Sequence, residues 1–165
     1  MMQTIIYEVK NKVDRDAKIQ LVDNKLIPYQ RDGWNFNWKK LCKVEGSIFY
    51  KISCLNSPDI LEGILMLTLF NKEMLFMNNI ELAPHNIGSK KKFDKVAGVL
   101  LAFACRKSFE IGKGNYNGFL SFDSKSELIK LYSDRYGATW AMGNKMFFTP
   151  EAGKKLMKKF LQLKK

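Results

Sequence analysis

A single histidine and three cysteines are all this sequence offers to a transition metal or a disulfide framework. Cys42, Cys54 and Cys105 are odd in number, widely spaced and form no Cys-x-x-Cys pair. A structural zinc site takes about four such ligands, so no metal is expected. The thiols are expected to stay reduced, as in a cytoplasm. Cys105 lies in a wholly apolar stretch and reads as a small buried hydrophobe. Long apolar runs are missing as well. "GILMLTLF", residues 63–70, is far shorter than the roughly 18 residues that span a bilayer. In "MMQTIIYEVKNKVDRD" charges follow the apolar start too soon for a secretory signal. A cytoplasmic protein without membrane attachment is the expectation.

Several chemistries have no motif to rest on. The sequence contains no GxxxxGK[ST] and no GxSxG, and a catalytic triad would depend on His85 alone. "GKGNYNG" carries glycines but follows a predicted helix, the wrong context for a dinucleotide fingerprint. Only four of the 28 basic residues are arginine, the side chain that reads guanine edges, so specific DNA recognition is not favoured.

What is present is a core and a strong positive field. Of 165 residues, 46% are hydrophobic and 13% aromatic, enough for one folded domain. No repeat or Pro/Gly/Ser linker divides the chain. The net charge of +12 attracts polyanions: nucleic acid, anionic membrane or a phosphorylated small molecule.

Periodicity supplies a coarse element order. "QTIIYEV" and "SIFYKISCL" read as strands, while "DRDAKIQLVDNKLI" is ambiguous between helix and strand. "RDGWNFNWKKLCKV" places Trp34, Trp38 and Leu41 at helical spacing. "DILEGILMLTLF" and "EMLFMNNIELA" form a hairpin around "NKE". "KVAGVLLAFACRKSFEI" is apolar nearly all round, as a buried helix must be, and stops at Gly112. A strand at "GFLSF", a helix in "SKSELIKLYSDRYG" ending at Gly137, and a strand at "MFFT" follow. The last helix has Thr149 as N-cap and Pro150 at its first position, with Leu156, Phe160 and Leu163 on one face. Strands first and then alternating helix and strand predict an α+β domain on a mixed, mostly antiparallel twisted sheet flanked by helices.

The densest constellation is "IELAPHNIGSKKKFDKVAGVLLAFAC", residues 80–105. A strand runs through a long lysine-rich loop into a buried helix. Strand-to-helix loops usually take about 2–6 residues, so this one has a task. The free N–H groups and dipole of the helix start, added to the loop lysines, predict an anion cradle, with Ala97 and Gly98 leaving room for a ligand to approach the backbone. Downstream, "SELIKLY" brings Leu128, Leu131 and the phenol of Tyr132 near one helical face.

These pieces together resemble the Gcn5-related N-acetyltransferase (GNAT) family over roughly Ile60–Thr149. "KFDKVA" is similar to the family's phosphate motif, Q/R-x-x-G-x-G/A, with Lys95 where that motif has its middle glycine. "LYSDRYGA" is similar to the family's "lYeklGF". The resemblance implies a strand that splays at a bulge to admit pantetheine beside it, here along Leu82 and Ala83. It implies acetyl-CoA as co-substrate, its phosphates held at Lys92, Lys95, Val96, Ala97 and Gly98, with Lys125 standing where the family often has asparagine. Tyr132 would be the general acid and Glu81 a candidate base, Glu81 having a hydrogen-bonding role as its alternative. Residues 1–59 would form the variable acceptor side, with Trp34 and Trp38 as candidate substrate contacts, residues 60–149 the acetyl-CoA core, and residues 150–165 a basic C-terminal helix. The implied activity is acetyl transfer to a primary amine of a small molecule or peptide, by a monomer or homodimer. A non-catalytic basic module holding nucleic acid or another polyanion is the competing expectation.

Overall fold

The computed structural model describes residues 1–161. Nine strands make one sheet: β1 (Met2–Glu8), β2 (Val13–Leu21), β3 (Ser47–Cys54), β4 (Gly63–Phe70), β5 (Met74–Leu82), β6 (Phe93–Asp94), β7 (Leu120–Asp123), β8 (Thr139–Met142) and β9 (Lys145–Phe148). Their spatial order is β6-β1-β2-β3-β4-β5-β7-β9-β8. Every neighbouring pair is antiparallel except β5 and β7, which run parallel. The helices are α1 (Trp38–Leu41), α2 (Val96–Ile111), α3 (Ile129–Tyr136) and α4 (Pro150–Phe160). This is the mixed α+β layering the sequence predicts. Among the described residues, no helix is long and apolar enough to cross a membrane.

The ambiguous segment after residue 13 is a strand. Ala17 and Ile19 are fully buried while their neighbours Lys18 and Gln20 are not, and β2 pairs on both sides, with β1 and β3. The helix expected across residues 31–44 shrinks to one turn, because the Asn37 side chain caps it at the Lys40 N–H and everything before it is extended or turned.

Two cores lie on opposite faces of the sheet. The larger packs α2 against β1, β4, β5 and β7. Helix α4 covers the other side of α2, which is why α2 is apolar all round: a sheet lies beneath it and a helix above it. Close approach of the two helices depends on Gly153, where an added Cβ would come within 3.1 Å of Cys105 Cβ. Thr149 Oγ accepts the Ala152 N–H at the start of α4, and Pro150 takes the first helical position, as expected. Leu156 is buried and Phe160 half-buried on one face of that helix, while Leu163 lies outside the described residues. The smaller core, on the far face, gathers Trp34, Trp38, Leu61, Ile64 and Met66. The three cysteines are free, and burial pushes Cys54 up to about 11 and Cys105 up to about 12.

The long loop after β5 is an additional piece of sheet. Phe93 and Asp94 pair with Glu8 and Tyr7 of β1, extending the sheet by a short strand before α2 begins. Its return is fixed by Asn86, whose side chain donates to the Glu62 carbonyl (2.9 Å) and accepts the Phe93 N–H (3.0 Å). His85 Nε2 hydrogen-bonds the buried Glu62 carboxylate at 2.5 Å. Much of the loop's polar content is therefore structural.

Candidate active site

Strands β5 and β7 pair only over Leu75–Met77 and Leu120–Phe122. Beyond Met77 the register of β5 against β4 shifts, leaving Asn78 as a bulge opposite the Met66–Leu67 step. A bulge bends its strand and increases the local twist, and here β5 parts from β7 at that point. Among the described residues, no strand pairs with the β7-side edge of residues 78–82. The extra residue also resets the alternation. Ile80 and Leu82 pack on the α2 side, while Glu81, paired with Ile64, faces the smaller core.

The split opens into a cleft of about 140 Å³ between β5, α2 and α3, walled by Ile80, Leu82, Ala97, Leu101 and Tyr132. Leu82, Ala97 and Tyr136 are shared with a second cleft of about 260 Å³ at the N-terminus of α2. Four cations border this second cleft: Lys91 and Lys95 on either side of β6, Arg135 from α3 and Lys159 from α4. The first-turn N–H groups of Val96, Ala97 and Gly98 precede the first hydrogen bond of the helix, from Val99 to the Lys95 carbonyl. Oriented N–H groups beside several cations make an anion cradle. Asp94 is its acidic component. Burial alone would raise that carboxyl, but the Lys95 N–H and the Lys91 ammonium outweigh burial and hold it below its ordinary value.

Lys95 itself takes a left-handed conformation, φ 71° and ψ 0°, immediately before α2. That geometry favours glycine and costs a side-chain-bearing residue about 1–2 kcal/mol. It falls at the position where the resembled phosphate motif carries its middle glycine. The backbone turn is kept and a cation is added.

Tyr132 sits where the two clefts approach the split. Its ring stands edge-on to Phe122, with centroids 5.0 Å apart, and leans on Tyr136 at 6.2 Å. Gly137 stops α3 in the left-handed region, φ 80°, where the sequence places the stop. Burial raises the Tyr132 phenol, and the neighbouring Tyr136 adds to the rise. Among the described residues no group hydrogen-bonds its hydroxyl. A neutral phenol facing an apolar cleft can donate a proton to an anion formed there.

Glu81 is held differently. One carboxylate oxygen accepts the Asn35 N–H (2.5 Å), and the other accepts the Phe36 N–H (3.1 Å) and the Trp38 indole N–H (2.8 Å). Trp38 is fully buried, edge-on to Phe36 and Phe49. An acceptor contact at Trp38 is therefore corrected: helical spacing reflected core packing, and no face of the ring is open. Trp34 is also buried, with an edge on a separate cleft beside Pro84 and His85.

The expected cofactor residues divide. Leu82, Lys95, Val96, Ala97 and Gly98 line the cradle together. The room expected above Gly98 is filled, because a Cβ there would overlap the Phe160 ring. Ala83 turns to the smaller core, and Lys125 stands exposed in the turn before α3, outside both clefts. Lys92, just before β6, is not among the residues that border the cradle. Nothing local in the sequence marks Arg135 or Lys159 as a cradle residue: each is an exposed basic residue on a helix, and Lys159 is one of several on the basic face of α4. The nearest thing to a signal is the i,i+4 relation of Leu131 to Arg135, one cleft-wall residue to the next cation.

On the far face, the apex of the split opens into a groove of about 490 Å³. Thr68 and Phe76 form one side of it and Ser121, Asp123 and Phe147 the other, with Asn78 at the bulge.

No protein-family model and no curated protein matches this sequence. Solved structures do. A chain of the KacTA–DNA complex is similar with a TM-score of 0.60 at 12% identity, covering 87% of this chain and 99% of that one. Mutant forms of the spermidine/spermine N-acetyltransferase SpeG from Vibrio cholerae give 0.56 at 11% identity, covering 84% and 96%. A chain of AtaTR bound with AcCoA gives 0.55 at 12% identity, covering 86% and 98%. At such identities the likeness is one of fold, and the fold is that of the GNAT acetyltransferases.

Proposed function

We propose that the chain is an acetyltransferase that moves an acetyl group from acetyl-CoA to a primary amine. One observation carries this reading: β5 parts from β7 beyond Met77, and the cleft there, bordered by Tyr132, shares its wall with a cationic cradle, while a separate groove bordered by Asn78 and Asp123 lies on the opposite face of the sheet. The acetyl-CoA named in the AtaTR structure supports the same use of the fold.

Lys91, Lys95, Arg135 and Lys159, with the first-turn N–H groups of α2, would hold the pyrophosphate. The open edge of β5 would bond pantetheine as an added strand does, and its N–H groups would polarise the thioester carbonyl. The amine reaches the apex as an ammonium and must lose one proton, to water, before it can attack. Its lone pair then forms the C–N bond, and the C–S bond breaks. Tyr132 gives its proton to the departing thiolate, the amide nitrogen releases its remaining excess proton to solvent, and Tyr132 recovers a proton from solvent, so that the cycle releases one proton in all. We assign Glu81 to anchoring rather than to base catalysis, since both its oxygens already accept hydrogen bonds.

Thermal shift with CoA, followed by thiol release from acetyl-CoA over a panel of primary amines, tests the reading. A folded-state ligand must raise the melting temperature. No shift with CoA, together with oligonucleotide binding that falls steeply with salt, would replace the enzyme with a basic binding module.

A further inference from the structure

We infer that the far-face groove takes a monocationic amine with an apolar body, an aryl- or alkylamine, and discriminates against polyamines; the inference rests on the acyl-transfer reading only for what happens to that amine. The juxtaposition that carries it is a lone carboxylate, Asp123, at the apex end of an aromatic groove, with Lys145 as its cross-strand partner.

Met77 and Phe122 are the last residues paired across β5 and β7, so Asn78 and Asp123 are the first residues beyond the pairing. Both line the groove. Asn78 Oδ1 is occupied by the Thr68 hydroxyl (2.7 Å), which leaves the Asn78 amide N–H groups as donors. The Ser121 hydroxyl is directed to Met74 sulfur (3.3 Å). Among the described residues lining the groove, Asp123 is the one carboxylate. An alkylammonium, with a pKa near the ~10.4 of lysine, has one anionic partner here, and it lies at the mouth of the split.

The rest of the wall suits an uncharged body. Phe70, Phe76 and Phe147 present aromatic surface, and Met74 supplies adaptable thioether contact. Aromatic faces also favour a cation at close range. A second ammonium would find no second carboxylate on the wall. It would meet Lys145, which pairs directly with Asp123 across β7 and β9.

Equilibrium binding to the full chain by calorimetry tests this, with 2-phenylethylamine and spermidine as probes at equal ionic strength. The expected result is a Kd at least tenfold lower for 2-phenylethylamine. Asp123→Asn should weaken it at least tenfold, and Lys145→Glu should tighten spermidine severalfold. Equal or tighter binding of spermidine to the unmodified chain, an Asp123→Asn variant that binds 2-phenylethylamine normally, or no saturable amine binding each overturns the inference. CoA binding is measured separately on the same samples. Failure there, with amine binding as expected, removes acyl transfer and leaves the groove assignment standing.

Discussion

The Trp38 indole N–H donates to Glu81 at 2.8 Å across 43 residues of chain, tying the N-terminal turn to the splayed strand. Two backbone N–H groups, from Asn35 and Phe36, complete the anchor. Hydrogen bonds to a buried carboxylate are among the stronger contacts available, about 1.5–3 kcal/mol each. Glu81→Gln retains the shape but turns an N–H donor toward donors already there. Urea unfolding should show a loss of roughly 2–3 kcal/mol, with turnover reduced no more than folded fraction requires. A variant of normal stability and lost turnover would restore Glu81 as the base.

Most of the fold was legible because its elements are strongly periodic: β3, β4, β5 and α2 all lie where alternation or continuous burial predicts. The failures share a physical cause. At residues 31–44, Trp34 and Trp38 have helical spacing, yet a carboxylate distant in sequence holds the chain open, and no local pattern encodes that contact. The placements of Glu81 and Lys92 are hidden for related reasons. The phase of Glu81 depends on a bulge at Asn78, and the position of Lys92 depends on a two-residue strand pairing with the start of the chain. The stop at Gly137 is legible because a glycine that ends a helix in the left-handed region is a local matter.

Lys95 gives a prediction whose sign opposes the usual effect of glycine. Lys95→Gly should relieve the left-handed strain, about 1–2 kcal/mol, against an unfolded-state entropy cost of up to about 1 kcal/mol. The melting temperature should hold or rise slightly. Acetyl-CoA affinity reports the other half of the trade, since the variant removes one of four cradle cations. A clear fall in melting temperature would mean that the Lys95 ammonium, 5.7 Å from the centre of the Tyr7 ring, stabilises the turn more than the strain destabilises it.

The cradle predicts a contrast between two cations that the sequence does not rank. Arg135→Ala should weaken CoA about tenfold, the loss of one charge-assisted phosphate contact of about 1.4 kcal/mol. Lys92→Ala should leave the affinity close to its starting value, because Lys92 is outside the cleft. Calorimetry with CoA at fixed ionic strength decides. Equal losses from both variants would indicate a diffuse field of the whole +12 chain in place of a built site.

Tyr132 and Tyr136 are one helical turn apart, both line the cleft, and both phenols are raised chiefly by burial. Their surroundings divide their roles. Tyr132 faces Phe122, the last β7 residue paired before the split, whereas Tyr136 leans toward Phe160 at 6.2 Å and also borders the cradle. Tyr132→Phe keeps the ring and removes a hydroxyl without a partner among the described residues, so stability should barely change. Turnover should fall by roughly 10²–10⁴, the usual cost of a lost general acid, with acetyl-CoA affinity nearly constant. Tyr136→Phe should instead act on the apparent affinity for acetyl-CoA and leave kcat nearly intact. The pH profile adds an independent check. A raised phenol stays protonated through neutral pH, so the acid limb of Tyr132 should lie on the alkaline side and vanish in Tyr132→Phe. If both variants lose kcat alike, or if Tyr132→Phe loses stability and not rate, the leaving thiolate takes its proton from water and Tyr132 only packs the cleft wall.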